Sequence, residues 1–305
     1  MSSMSSILET HQLSYKFSTG QPVLQQVNIA VPEGAIYGFL GPNGAGKTTT
    51  MRLLTGLLPD KGEHIRFFNK PLQEQLPTLF HKVGSLIETP SLYLHLSGLD
   101  NLRLVARLKQ LPEARAKDAL NWVGLKDAQH KKAKLYSLGM KQRLAIAMAL
   151  ISEPELLLLD EPVNGLDPGG MVEIREMLVD LNKHKGITIF ISSHLLNEVE
   201  KMCTHIGIIH KGTMRFQGSI SELASTAAHE RQIDIGIQDA AQWLPVLQEA
   251  YPKVACIQSD LLQVTVAGKE DAVAINRMLV NAGAPVHQLQ MKDGLEEWFM
   301  TITKN

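Results

Sequence analysis

The sequence predicts an α/β fold with a small α+β domain appended at the C-terminal end. Two runs predict the first part. A glycine-rich turn, residues 41–48, lies between the strand-like run Ala35-Ile36-Tyr37-Gly38-Phe39-Leu40 and a helix-like run over 48–57, and the fully apolar run 156–159 ends on two carboxylates, as a strand buried on both faces does. The order β-α-β-β-α-β over residues 232–290 predicts the second part.

Residues 7–40 alternate as short strands, 27–31 among them, and close on Pro32-Glu33-Gly34; they read as a β-rich entry to the turn. In the turn, Gly41-Pro42-Asn43-Gly44-Ala45-Gly46-Lys47-Thr48 fits G-x-x-x-x-G-K-[ST] in strand–turn–helix context. The glycines let the backbone aim N–H groups inward, Lys47 adds a cation for β- and γ-phosphates, and Thr48 offers a hydroxyl to Mg²⁺. The following helix points its positive end at the same phosphates.

From about 90 to 139 the period turns helical, with Leu99, Leu102, Leu104 and Leu108, then Ala116, Leu120 and Val123, spaced for amphipathic helices. Ser137 is placed to cap the helix over 144–151. The strand 156–159 delivers Asp160 and Glu161 to the mouth of the sheet, Asp160 to hold Mg²⁺ and Glu161 to act as base. Asn164-Gly165-Leu166-Asp167 follows, then a β-branched strand over 187–193 that ends on His194. A helix over 195–203, a strand over 206–209 and a turn at Lys211-Gly212 complete this part.

The remainder reads as a strand at 232–237, a helix at 240–250, strands at 254–258 and 261–266, a helix at 269–282, a strand at 286–290 and a last helix at 295–303 with Leu295, Phe299 and Ile302 on one side. No motif marks it, and ligand sensing and dimer bracing are equally open. Taken singly, Glu161 before Pro162 also fits a turn cap, and His194 fits a satisfied core histidine. The phosphate loop upstream, with Ser137-Leu138-Gly139 between it and Glu161, shifts both toward catalysis.

In this order the residues resemble the nucleotide-binding subunit of an ABC transporter, over about residues 7–220. The resemblance implies an ABC ATPase cassette with a β-rich entry subdomain, a nucleotide-binding core and a helical subdomain over about 90–140, filling residues 1–220, with 221–305 as an accessory α+β domain. It implies ATP bound by residues 41–49, Thr49 included, with Mg²⁺ held through Thr48 and Asp160. Lys47, Glu161 and His194 become the catalytic set, with His194 as γ-phosphate switch, and Asp167 becomes the dimer-facing loop aspartate. The LSGGQ signature corresponds to Tyr136-Ser137-Leu138-Gly139-Met140, with its Ser and second Gly kept and its Gln replaced by Met140. Ser137 and Gly139 would close the ATP site of a second protomer in a head-to-tail pair. The family's spacing puts an adenine-stacking aromatic at Phe17, with Tyr15 the alternative; a strand aromatic packed on the core is the competing reading. Glu88 stands where most of the family has a glutamine that touches Mg²⁺ and the attacking water.

Glu88 before Thr89-Pro90, the variant signature and Ser193-His194-Leu195-Leu196-Asn197-Glu198 draw the resemblance toward ATPase subunits of bacteriocin, lantibiotic and peptide-antibiotic exporters, a resistance function. Such a subunit pairs with itself or with a second ATPase subunit and powers a polytopic membrane permease on a separate chain. A non-transport ATPase of the same fold acting on ribosomes or DNA is the alternative; the double cassettes and long insertions usual in that class are missing. A GTPase is disfavoured because Asn69-Lys70-Pro71-Leu72 and Asn182-Lys183-His184-Lys185 both lack the base-reading aspartate.

A chain of 305 residues accommodates one large domain and a small one. Its net charge of −1 advertises neither nucleic acid nor an anionic membrane as bulk partner. Lys131-Lys132-Ala133-Lys134 has no interleaved aromatics and reads as a solvated face. Two cysteines without metal spacing fit a reducing compartment. The start resembles no signal peptide, and no apolar run nears the roughly 20 residues that span a bilayer. The expected location is cytoplasmic, peripheral on the inner face of the cell membrane.

Overall fold

The computed structural model describes residues 5–18, 20–88, 91–227, 232–268, 270–292 and 299. Contacts divide the chain into two units, Met1–Gly218 and Ser219–Asn305.

The first unit opens with two long antiparallel strands, β1 (Ser6–Lys16) and β2 (Pro22–Pro32), followed by β3 (Ile36–Leu40) and helix α1 (Lys47–Leu54). Short elements follow: β4 (Ile65–Phe67), β5 (Lys70–Pro71), α2 (Leu72–Gln75) and β6 (Val83–Leu86). Next come α3 (Gly98–Leu108), α4 (Ala114–Trp122), α5 (Leu138–Leu150) and β7 (Leu156–Asp160). The unit closes through α6 (Pro168–Lys185), β8 (Thr188–Ser193), α7 (Leu196–Met202), β9 (His205–His210) and β10 (Thr213–Ser219).

A four-stranded sheet runs β2-β1-β4-β5, and a six-stranded one runs β10-β9-β3-β8-β7-β6. In the second, β3 is parallel to β8 and β9, and β7 is parallel to β8 and β6. All five residues of β7 are buried, as its uninterrupted leucines require of a strand covered on both sides. One core cluster joins the two sheets: Leu8, Leu13 and Val31 of the entry strands pack with Phe39, Met51, Leu158 and Phe190.

Two local expectations differ. The helix after the phosphate loop stops at Leu54 rather than near 57, because Gly56 takes φ +69° and turns the chain, leaving Leu57 outside. Leu108, expected on the apolar face of α3, is 76% exposed. It lies nine residues after Leu99, about two and a half turns, and so on the opposite side of a helix whose buried stripe runs Leu99, Leu102 and Ala106.

The second unit starts with α8 (Ile220–Ala227), whose first turn is closed by a reciprocal pair: Glu222 N–H donates to Ser219 Oγ (3.1 Å) while Ser219 N–H donates to Glu222 Oε2 (2.7 Å). Then come β11 (Gln232–Ile237), α9 (Ala240–Gln248), β12 (Val254–Gln258), β13 (Leu261–Thr265), α10 (Glu270–Asn281) and β14 (Val286–Lys292). Strand order β12-β13-β11-β14, antiparallel throughout, is the split βαβ arrangement. Its own core packs Ile233, Ile235 and Ile237 with Leu262, Val264, Ile275 and Leu279. The helix expected over 295–303 lies, apart from Phe299, outside the described residues.

Candidate functional site

Sheet order and register bring together pieces far apart in the chain. β8 lies between β3 and β7, with Leu40 opposite Ser193 and Asp160 opposite Ser192. Leu86, at the end of β6, lies opposite Leu159. The turn after β3, the acids at the end of β7, the histidine after β8 and the segment after β6 therefore leave the sheet at one carboxyl edge, where α/β sheets bind ligands.

The loop is shaped for close backbone approach. A Cβ on Gly41 would lie 2.4 Å from the Ile209 carbonyl oxygen, and Gly46 takes φ +110° with Leu24 2.6 Å from where a Cβ would stand. Gly41 N–H donates to Ser193 C=O (3.1 Å) and Ala45 C=O accepts from Gly212 N–H (3.0 Å), which pins the loop to the ends of β8 and β9. No side chain caps α1, so N–H groups of its first turn remain available to an anion. A cavity of about 320 Å³ opens here, lined by Asn43, Gly44 and residues 46–49 with Val23, Glu161 and Asn164. A larger one, about 410 Å³, opens at the opposite ends of β7 and β8 beside Glu155 and Thr188 and has no phosphate loop.

Lys47 is buried, and its ammonium donates to the carbonyls of Gly41 (2.8 Å) and Pro42 (3.3 Å) and pairs with Glu161 Oε1 (3.2 Å). The other carboxylate oxygen of Glu161 meets His194 Nδ1 at 2.8 Å. Glu161 itself has φ +49°, a left-handed conformation uncommon for a non-glycine and one that surroundings must hold. Its N–H donates to Ser192 Oγ (2.9 Å), and Ser192 Oγ donates to Asp160 Oδ1. The second oxygen of Asp160 accepts from Thr48 Oγ1 at 2.9 Å.

A hydroxyl and a carboxylate in contact beside a phosphate loop fit Mg²⁺, which takes one or two protein oxygens and completes its shell with water and phosphate. Among the described residues no group of three or more His, Cys, Asp or Glu could hold a metal alone.

The remaining candidates lie further out. Glu88 is half exposed, has φ +64°, and accepts from Arg52 Nε at 2.9 Å and from Arg52 Nη2. Of the two aromatics, Tyr15 packs against the core while Phe17 is 42% exposed, and the two rings meet perpendicular to one another at 5.1 Å. Ser137 caps α5 by accepting from Met140 N–H (3.2 Å); Gly139 lies in that helix's first turn, and Leu138 is exposed between them. Asp167 caps α6 by accepting from Gly170 N–H (3.3 Å) and is exposed.

Sequence reasoning missed three participants. Ser192 was legible in principle, because two serines ending the run Ile189-Phe190-Ile191 are fully buried polar residues that need partners. Asn164 lay inside a quoted motif without a role. Val23 reaches the cavity from β2, and nothing local in the sequence signals that.

Residues 24–164 match the ABC transporter family. The chain is 37% identical over 301 residues to the bacitracin transport ATP-binding protein BcrA of Enterococcus faecalis, covering 98% of this chain and 97% of that one. It is 45% identical over 190 residues to the lantibiotic transport ATP-binding protein SrtF of Streptococcus pyogenes, covering 62% of this chain and 81% of the relative. Among solved structures, cbiO1 of Clostridium perfringens, part of the ABC transporter complex cbiONQ, superposes with a TM-score of 0.67 at 32% identity, over 72% of this chain and 91% of that one.

Proposed function

The chain belongs to the ABC transporter ATP-binding family, and from that premise we propose that it binds Mg·ATP in the cavity at residues 41–49 and powers export of peptide antibiotics, bacteriocins or related compounds. The observation that carries the site assignment is the position of Glu161, whose carboxylate lies between Lys47 and His194 and one residue from the Thr48–Asp160 pair.

The roles follow from chemistry. Backbone N–H groups of the loop and of the first turn of α1 receive the phosphates, and Lys47 transfers its charge from Glu161 to the β- and γ-oxygens. Freed from Lys47, the Glu161 carboxylate takes the proton of the attacking water, while His194 orients that carboxylate through Nδ1. Thr48 and Asp160 would hold Mg²⁺, which when bound would supply charge neutralisation at the phosphates; Glu88 is the further oxygen that the family resemblance carries over, and here its carboxylate is engaged by Arg52. Phe17 offers its face to the adenine. Ser137, Gly139 and Asp167 lie at exposed helix N-termini, suited to close the site of a second protomer in a head-to-tail pair.

Membership of this family implies a membrane permease partner and a dimeric ATPase; we assign the permease to a separate polytopic chain and the subunit to the inner face of the membrane. Among the described residues no helix is long and apolar enough to cross a membrane. The names of the two curated relatives, which concern bacitracin and lantibiotic transport, support peptide antibiotics as cargo. The test is co-expression with the adjacent permease gene. The chain should sediment with membranes, co-purify with the permease and raise survival against bacitracin or a lantibiotic, with Lys47→Ala abolishing protection. Protection unchanged in that variant would overturn the ATP-driven reading, and no protection against any peptide would overturn the cargo.

A further inference from the structure

The Glu88 carboxylate lies at the same sheet edge as Asp160. Register places Leu86 opposite Leu159, so Glu88, two residues beyond β6, is level with the acids at the end of β7, Asp160 and Glu161. A second path leads to the same place. Arg52 follows Thr48 by four residues on α1, so their side chains share one face of the helix about one turn apart, and Thr48 on that face is the partner of Asp160. Arg52 directs both Nε (2.9 Å) and Nη2 at Glu88 Oε1. Glu88, on a backbone with φ +64°, thus lies at the same edge as the proposed metal ligands and is held by Arg52, which stands one helical turn along α1 from Thr48.

We propose, resting on the ATPase assignment above, that Arg52 is a positioning residue for Glu88: its guanidinium neutralises the carboxylate and keeps it out of the oxygen set formed by Thr48 and Asp160. The need for it follows from charge. Asp160 and Glu161 already place two carboxylates at this edge, and a third beside the phosphates raises the electrostatic cost of the ATP-bound state unless a cation offsets it. A glutamine at position 88 carries no charge and makes no such demand. Arg52 suits the task because a fixed guanidinium fork holds a carboxylate in one orientation, which a lysine does not. A pair this exposed is weak enough to open when the site reorganises. Arg52 therefore sets how much of the Glu88 charge the bound metal feels.

The experiment uses the full chain and reads metal dependence of binding rather than turnover. The non-hydrolysable analogue AMP-PNP at fixed concentration is titrated with MgCl₂ by fluorescence or calorimetry, for the parent, Arg52→Met, Glu88→Gln and the double variant. Removing Arg52 should release Glu88 toward the metal and lower the Mg²⁺ midpoint by about two- to fivefold, the scale of one exposed ion pair. In the Glu88→Gln background the same change should move the midpoint clearly less, because the carboxylate it acts through is gone. Arg52→Lys, which keeps charge and stem, shifts the midpoint in the same direction by a smaller amount and serves if the methionine variant fails to fold. An equal shift with and without the carboxylate would make Arg52 a general electrostatic contributor and overturn the proposal, as would no shift in either background. Failure of the parent to bind AMP-PNP at all would instead overturn the ATPase assignment on which the proposal rests.

Discussion

The proposed chemistry turns on one side chain, Glu161. Its backbone is left-handed, its N–H is tied to Ser192, and its two oxygens face Lys47 and His194. Ser192 and His194 come from the end of β8 and Lys47 from the loop after β3, so the carboxylate is positioned by the sheet rather than by its neighbours in sequence. Glu161→Gln keeps size and shape and removes the proposed base. Turnover should fall on the order of 10²–10⁴-fold, the usual contribution of a general base, with ATP affinity retained. The variant should accumulate as an ATP-bound dimer by light scattering, and adding Ser137→Arg should abolish that dimer by filling the space at the N-terminus of α5. Parental turnover, or a monomer at saturating Mg·ATP, would remove Glu161 from the catalytic role. The Cys203 thiol, by contrast, is pushed up to about 12 by burial and stays inert as a nucleophile at neutral pH.

Helix ends govern the next scale. α3 begins on Ser97, whose hydroxyl donates to Asp100 Oδ2 (2.6 Å) and accepts from Asp100 N–H (3.0 Å). That hydrogen bond from Ser97, with a lesser contribution from Arg103, holds the Asp100 carboxyl below the usual carboxylate range. A carboxyl lowered on folding stabilises the native state at pH above its unfolded value and loses that contribution as pH falls through the folded value. Asp100→Asn should therefore lower the melting temperature at neutral pH, and its gap to the parent should close as pH drops below about 4. A gap independent of pH would show that the cap does not depend on the charge. Ser97→Ala should cost about 1 kcal/mol at neutral pH, as loss of an N-cap does, with part of that cost fading as Asp100 protonates. Capping by Ser137 and Asp167 follows the same physics at α5 and α6, where it fixes helix N-termini that face outward.

At the scale of the whole molecule the two units have separate cores, one around Phe39, Leu158 and Phe190 and one around Ile235 and Leu262. A chain ending at residue 219 keeps all of β10 and should bind nucleotide as the full chain does and melt in a single cooperative transition. Aggregation or a broad melt would mean that residues beyond 219 cover apolar surface the first unit needs. Much of this architecture was legible because its signals are local. The phosphate loop is eight consecutive residues between a strand and a helix, the apolar run of β7 can only be buried, and the second unit shows its order of strands and helices in periodicity alone. Where the sequence misled, the cause lay in position along a helix or in a turn: Leu108 shares the apolar character of Leu99 but not its face, and Gly56 ended α1 early. What the sequence determined by itself was the residue set of the proposed site, since phosphate binding, an oxygen donor pair and a base each need particular residue types at short fixed spacings. What only the tertiary structure decided was which of these groups touch. The contacts of Glu161 with Lys47 and His194, of Asp160 with Thr48 and Ser192, and of Glu88 with Arg52 depend on strand order and register, and those are set by long-range packing that no local stretch of sequence encodes.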